Sequence, residues 1–144
     1  MPHVEIKRPY ERRAAYPHMG LADATIWNRF IHRYPDRFIH VWYDFRVGDK
    51  DEVAPEHSAI ARACWWDLTY WRIDVVAEDA EKIYVIEVKP SANAKALGQA
   101  SSYAMLYEED EKPGKPVIAV VLTDILIPTT KRIGEKSGIE IWVV

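Results

Sequence analysis

The chain has 144 residues, 49% of them hydrophobic and 28% charged, with a formal net charge of −3 and a single cysteine. That is the size and balance of one globular domain with one core. It excludes a membrane-spanning helix, since no apolar run approaches the required ~20 residues, and Cys64 alone excludes an internal disulfide or a cysteine-built zinc cluster. A pI near 5.9 argues against a surface that grips nucleic acid everywhere and leaves room for a local basic strip.

The N-terminal stretch MPHVEIKRPYERR is polar and lacks the apolar segment of a secretory signal, so a reducing, cytoplasmic setting is expected. Residues 1–18 carry Lys7, Arg8, Arg12 and Arg13 against Glu5 and Glu11, and read either as a basic arm on phosphates or as a solvated, partly disordered tail. Asparagine and glutamine occur only as Asn28, Asn93 and Gln99, which together with nine prolines suggests a thermophilic source.

Leu21, Ala24, Trp27 and Ile31 follow helical spacing, so a helix is expected over Gly20 to His32, ended by Tyr34-Pro35. Phe38 to Val47 is aromatic and β-branched and reads as a strand closed by Gly48-Asp49. A charged loop, Asp49 to Glu56, follows. His57 to Trp66 fits either a short helix or the start of a strand. Leu68 to Val76 and Lys82 to Lys89 read as two strands joined by the short acidic AEDAE segment, hence an antiparallel hairpin. A helix from about Ala92 to Glu108 follows, with Ser91 as its expected N-cap. Val117 to Leu122 is a continuous apolar run, as for a strand covered on both faces. A short helix over Pro128 to Ser137, with Gly138 at its C′ position, leads to a last strand, Ile139 to Val144. These elements predict one α/β domain over residues 1–144, with a mixed central β-sheet flanked by helices.

The chemistry concentrates on the hairpin. With the turn centred on Ala80-Glu81, Val76 faces Val85, Asp74 faces Glu87 and Arg72 faces Lys89, and strand parity puts all of them on one face. Opposed side chains have Cβ atoms about 4.5–5.5 Å apart, and two carboxylates that close repel unless a cation lies between them. Oxygen ligands at that spacing suit Mg²⁺, and Lys89 on the same face can position a water or offset phosphate charge. On the helix beyond, Lys95, Gln99 and Tyr103 form a polar stripe, opposite Leu97, Ala100, Ala104 and Tyr107. A Glu-x-Lys is common on solvated strands, but here Glu87 and Lys89 interrupt the apolar YVIEVK and Asp74 the apolar YWRIDVV.

Arg72-Ile-Asp74, Ile86-Glu87-Val88-Lys89, Gly98-Gln99 and Tyr103, in this order of elements, resemble the PD-(D/E)XK nuclease superfamily. RIDVV, IEVKPSANAKALGQ and YAMLY also look like its small phage-encoded members. Ile73 stands where the motif often has proline. The resemblance implies a restriction-endonuclease-like fold, element order αβββαβ plus a C-terminal helix and strand. It implies Mg²⁺ or Mn²⁺ held by Asp74, Glu87 and the Val88 carbonyl, with Lys89 as the catalytic lysine. Gln99 and Tyr103 match a helix pattern that orients the site or contacts DNA. Many members add an acid from an earlier element; Asp44 and Asp23 are the candidates, with Asp44 weighted over Asp23. Arg72, Arg46, Lys95 and Tyr103 are the expected DNA contacts.

The expected activity is a metal-dependent deoxyribonuclease acting on DNA, branched or single-stranded forms included, with a homodimer compatible with the resemblance and the host cytoplasm as its place if phage-encoded. The alternative is a nuclease-fold module without useful catalysis, binding DNA or protein in phage DNA processing or assembly. A weaker third reading has the acidic stretches Asp49 to Glu56 and Glu108 to Glu111 contacting a basic partner. The six tryptophans read mainly as core, with base stacking as the competing role. The five histidines show no HExxH or HxH spacing, and no G-x-S-x-G, P-loop or G-x-G-x-x-G occurs.

Overall fold

The computed structural model describes residues 5–49, 58–61, 64 and 70–144. Most of the charged loop and half of the stretch 57–66, with Trp65 and Trp66, lie outside them, as do Leu68 and Thr69; residues 59–61 are helical. The fold is α/β, a six-stranded mixed sheet flanked by helices, as the sequence predicts. Strands β1 (Arg8–Pro9), β2 (His40–Val47), β3 (Trp71–Glu78), β4 (Ile83–Val88), β5 (Val117–Thr123) and β6 (Glu140–Val143) lie side by side in sequence order. The first four pair antiparallel; β4–β5 and β5–β6 pair parallel. The parallel joints are those spanned by helices, α2 (Ala94–Glu111) and α3 (Pro128–Lys136), since parallel neighbours need a long crossover.

Helix α1 (Leu21–Arg33) buries Ala24, Ile26, Trp27, Phe30 and Ile31, a helical stripe, against one face of the sheet. Val41, Tyr43, Val75, Ala77, Tyr84, Ile86, Val88, Val120 and Leu122 meet it there. Tyr34 closes the helix, its N–H reaching the Phe30 carbonyl at 2.9 Å, where Pro35 forbids another turn. Helix α2 covers the other face through Leu97, Ala100, Ala104 and Tyr107, the positions expected of it. Helix α3 lies beside it: Gly134 lets the backbone approach Leu97 and Ile141, where a Cβ would come within 2.7 Å of Ile141 Cδ1.

Three expectations need correction. The N-terminal segment from residue 5 onward is not a loose tail: Arg8–Pro9 pairs with β2, Tyr16 is buried, and Tyr10 packs on Trp27 and Phe38. The N-cap of α2 is Asn93, whose Oδ1 accepts the Lys95 N–H at 3.1 Å, while Ser91 sits two residues earlier in a left-handed turn (φ 46°). Finally, strand alternation fails at the centre of the β2–β3 ribbon. Val41 and Tyr43 join the α1-side core, yet Phe45 and Val47, of the same parity, join the α2-side core; Val75 and Ala77 against Ile73 show the same reversal. The cause is Asp44, in left-handed backbone (φ 51°) inside a strand, a conformation that aspartate tolerates better than most residues. Pairing is continuous on either side, from Tyr43–Val75 to Phe45–Ile73, with Asp44 and Asp74 at the skipped step.

Candidate active site

The hairpin register is the one read from sequence. Val76 pairs with Val85, and the turn is Ala80-Glu81, with the Asp79 N–H donating to the Lys82 carbonyl at 3.1 Å. Asp79 Oδ1 also takes the N–H groups of Glu81 and Lys82 at 2.8 and 2.7 Å, which fixes the turn. Backbone pairing between β3 and β4 runs from Glu78–Ile83 to Val75–Ile86 and stops. Beyond it the Val88 N–H donates to Asp74 Oδ2 at 2.9 Å, so a side chain stands where the neighbouring strand's backbone would be. The other side of β4 stays zipped to β5 through Glu87–Val121 and Val88–Leu122, and the Lys89 N–H reaches the Leu122 carbonyl at 2.9 Å. The sheet therefore forks, and the fork holds the carboxylates.

Asp74 and Glu87 are 7% and 8% exposed, values at which an ionised carboxylate needs a partner. They lie close enough for each to act on the other's ionisation. Burial raises both carboxyls above the ordinary range. For Asp74 the Val88 N–H works against the rise, while the charges of Asp23 and Asp44 add to it. For Glu87 the charge of Asp74 is the largest contribution after burial, followed by Asp23, and Lys89 opposes them. The pair thus holds a proton well above the usual carboxylate range. Glu87 Oε2 is buried with no hydrogen-bond partner. An orphaned carboxylate oxygen beside a second carboxylate is a donor set that a hard divalent cation satisfies.

Of the two candidates for a third acid, Asp44 is engaged at 3.3 Å by Arg72 Nε, whereas Asp23, in the first turn of α1, places its charge on both Asp74 and Glu87. Asp44 acts on Asp74 as well, and its Oδ1 is buried without a hydrogen-bond partner, so both acids stay candidates. Among the described residues no three His, Cys, Asp or Glu side chains converge as a metal-holding set.

Arg72 is not on the shared face expected from parity. The reversal at Asp44 and Asp74 turns it toward the segment before α1, where its Nη1 lies 3.4 Å from His18 Nδ1, and no strand pair joins it to Lys89. It sits opposite Arg46, whose backbone N–H donates to Glu5 Oε1 at 3.0 Å. The helix stripe does reach the site. Gln99 Nε2 donates to Tyr103 Oη at 3.4 Å, and the Tyr103 hydroxyl is raised first by burial and then by the charge of Glu87. Lys95, Gly98, Gln99, Ser102, Tyr103 and Trp71 line an open hollow of about 330 Å³.

Reading the sequence misses the fastening of the turn after Lys89. The Ser91 N–H donates to Asp124 Oδ1 at 2.8 Å, the Ala92 N–H to Thr123 Oγ1 at 3.1 Å, and Thr130 Oγ1 to the Ala92 carbonyl at 2.9 Å. The signal was present: Thr123-Asp124 is polar punctuation directly after the apolar run of β5. Compared with family models, curated proteins and solved structures, the chain matches none. No helix among the described residues is long and apolar enough to cross a membrane.

Proposed function

We propose that the chain is a divalent-metal-dependent DNA nuclease of PD-(D/E)XK type. The observation that carries this reading is the buried Asp74–Glu87 pair at the sheet fork, with one orphaned oxygen and Lys89 at the end of the same strand. Asp74 and Glu87, with the Val88 carbonyl, are the groups that would hold Mg²⁺ or Mn²⁺. A bound ion would supply Lewis-acid stabilisation of phosphate charge and lower the pKa of an attacking water. The chain's own contribution is placement. The Val88 N–H keeps Asp74 aimed into the fork, the β4–β5 ladder keeps Glu87 opposite it, and Lys89, whose charge is felt at Glu87, orients water or offsets the charge of a phosphate. Gln99 and Tyr103 form the second wall, and Asp23 and Asp44, whose charges both act on Asp74, are the acids that could join the pair.

A second reading is a module of this fold that holds DNA in phage DNA processing or assembly without cutting it. The missing convergence of a third acid among the described residues favours it. The test is cleavage of plasmid, single-stranded and branched DNA with Mn²⁺ or Mg²⁺, alongside calorimetric metal titration. Asp74→Asn keeps an acceptor for the Val88 N–H, and Lys89→Ala removes no buried group; both are expected to keep the parent's melting temperature within about 3 °C, roughly 1 kcal/mol, and to cut at least about 100-fold more slowly. Parent-like cleavage by both variants refutes the site. Metal binding without cleavage of any substrate favours the module.

A further inference from the structure

Trp71 is an anomaly. Trp27 is fully buried and Trp42 and Trp142 pack against the cores, but Trp71, at the start of β3, is 51% exposed. Among the described residues, the other large exposed apolar side chains are aliphatic or, at Met105, a thioether, apart from Tyr34, which lies at the opposite end of α1 from Asp23. Trp71 borders the hollow on α2, its ring centroid 5.9 Å from that of Tyr103 and tilted by 59°, so the two rings are not stacked on each other. Tyr103 in turn lies near enough to Glu87 and Asp74 for their charges to act on it. Tyr103 also packs on the cluster that holds Ile73 of β3 and Val85 of β4, the latter two residues from Glu87 on the same strand face, so the hollow it lines lies on the α2 side of the sheet beside the fork.

A second observation concerns Gly98, on the floor of the hollow. It lies inside α2, where glycine costs about 1 kcal/mol relative to alanine. Nothing in the fold asks for it: a Cβ at this position would meet no atom within 4 Å, and its φ is not in the left-handed region. A helix-interior glycine that packing does not need, exposed in a hollow, is what close approach of a ligand to the backbone would require. Lys95, which lines the hollow, supplies positive charge suited to a phosphate backbone.

The geometry points to this hollow as a seat for one unpaired nucleobase of DNA, stacked on Trp71 over Gly98, belonging to the strand whose phosphate enters the fork. The substrate class is then DNA with a single-stranded segment at the point of cleavage, not continuous duplex. Stacking on an aromatic side chain is sequence-tolerant, because every base has a π-face, and a rigid duplex cannot turn a base outward without unpairing it. That the base belongs to DNA, and its position relative to the scissile phosphate, rest on the nuclease reading; an aromatic seat for an unpaired base does not.

The experiment uses the full chain and two probes in the absence of metal: a short oligothymidylate and a blunt duplex of equal length, followed by fluorescence anisotropy and tryptophan emission. The oligothymidylate is expected to quench emission, and Trp71→Phe to keep binding within threefold while losing most of the quench. Trp71→Ala is expected to weaken oligothymidylate binding about tenfold, the lower part of the range for one stacked base, and duplex binding less than twofold. Gly98→Ala is expected to raise the melting temperature while weakening oligothymidylate binding at least threefold, a combination no folding defect produces. A quench that survives in Trp71→Phe, equal losses on both probes, unaltered binding by Gly98→Ala, or no binding of the oligothymidylate at all overturns the inference. A protein that shows the expected binding pattern but never cuts DNA loses the nuclease reading and keeps the base seat; one that cuts DNA through Asp74 and shows no quench keeps the nuclease reading and loses the seat.

Discussion

Glu87→Gln is expected to stabilise the metal-free protein at alkaline pH. Glu87 is buried beside Asp74 with one oxygen unpartnered, and its carboxyl is raised by burial and by its neighbour's charge. A folded state that holds its proton to higher pH than the unfolded chain has the full benefit below the ordinary carboxylate value near pH 4. It loses that benefit as pH rises through the folded value. Each unit of such a rise is worth about 1.4 kcal/mol, and the neutral amide escapes the loss while still able to hydrogen-bond Asp74. A gain of about 1–2 kcal/mol at pH 8 is expected, which for the unfolding entropy of a chain this size, about 0.3 kcal/mol/K, is a rise of about 3–7 °C. At pH 5 the two proteins should melt together. The difference between parent and variant cancels the titrating groups outside the Asp74–Glu87 pair. Mn²⁺ should invert the order, because a ligand that binds only the folded state adds about 2.7 kcal/mol at a hundred times its dissociation constant, and the amide surrenders an anionic ligand. Thermal melts of both proteins from pH 5 to 8.5, with EDTA and with Mn²⁺, read all of this. A variant less stable than the parent at pH 8 in EDTA, or a gap that does not close on acidification, refutes the argument.

Asp79→Asn is expected to lower stability by about 1 kcal/mol at pH 7. The partial burial of Asp79 is outweighed by the N–H groups of Glu81 and Lys82, with Arg37 and Tyr84 adding to them, so its pKa falls to about 2. The benefit is present above the ordinary value near pH 4 and lost as pH falls toward 2, so urea melts of parent and variant should converge in acid. Tyr43→Phe removes the acceptor at 3.0 Å from the buried Trp27 indole N–H and is expected to cost about 1–3 kcal/mol, read as a lower urea midpoint with unchanged slope.

The element order, the hairpin register and the meeting of Asp74 with Glu87 were legible because they depend on local signals: a two-residue turn, period-two alternation and interrupted apolar runs. Arg72 was misplaced by the same alternation, since one aspartate in left-handed backbone reverses parity and nothing in HVWYDFRV announces it. The ranking of Asp23 against Asp44 depends on where α1 docks, a tertiary fact. The exposure of Trp71 was equally out of reach, because a tryptophan inside the strand expected over Leu68 to Val76 reads as core, whereas β3 begins only at Trp71. Ser91 lost the α2 cap to Asn93 by two residues, a difference that composition at a helix start does not resolve.

The carboxylate of Asp74 completes the hydrogen bonding of β4 as well as facing Glu87. This has an evolutionary corollary. On the nuclease reading, a lineage that abandoned the reaction would not be free to place any residue at position 74, because an aliphatic side chain there would strand the buried Val88 N–H at a cost of about 1–3 kcal/mol. Asparagine preserves the acceptor, so the path of least resistance to inactivity runs through Asp74→Asn. Among descendants of this chain, the identity of that one residue would separate those still under selection for chemistry from those kept only for their shape.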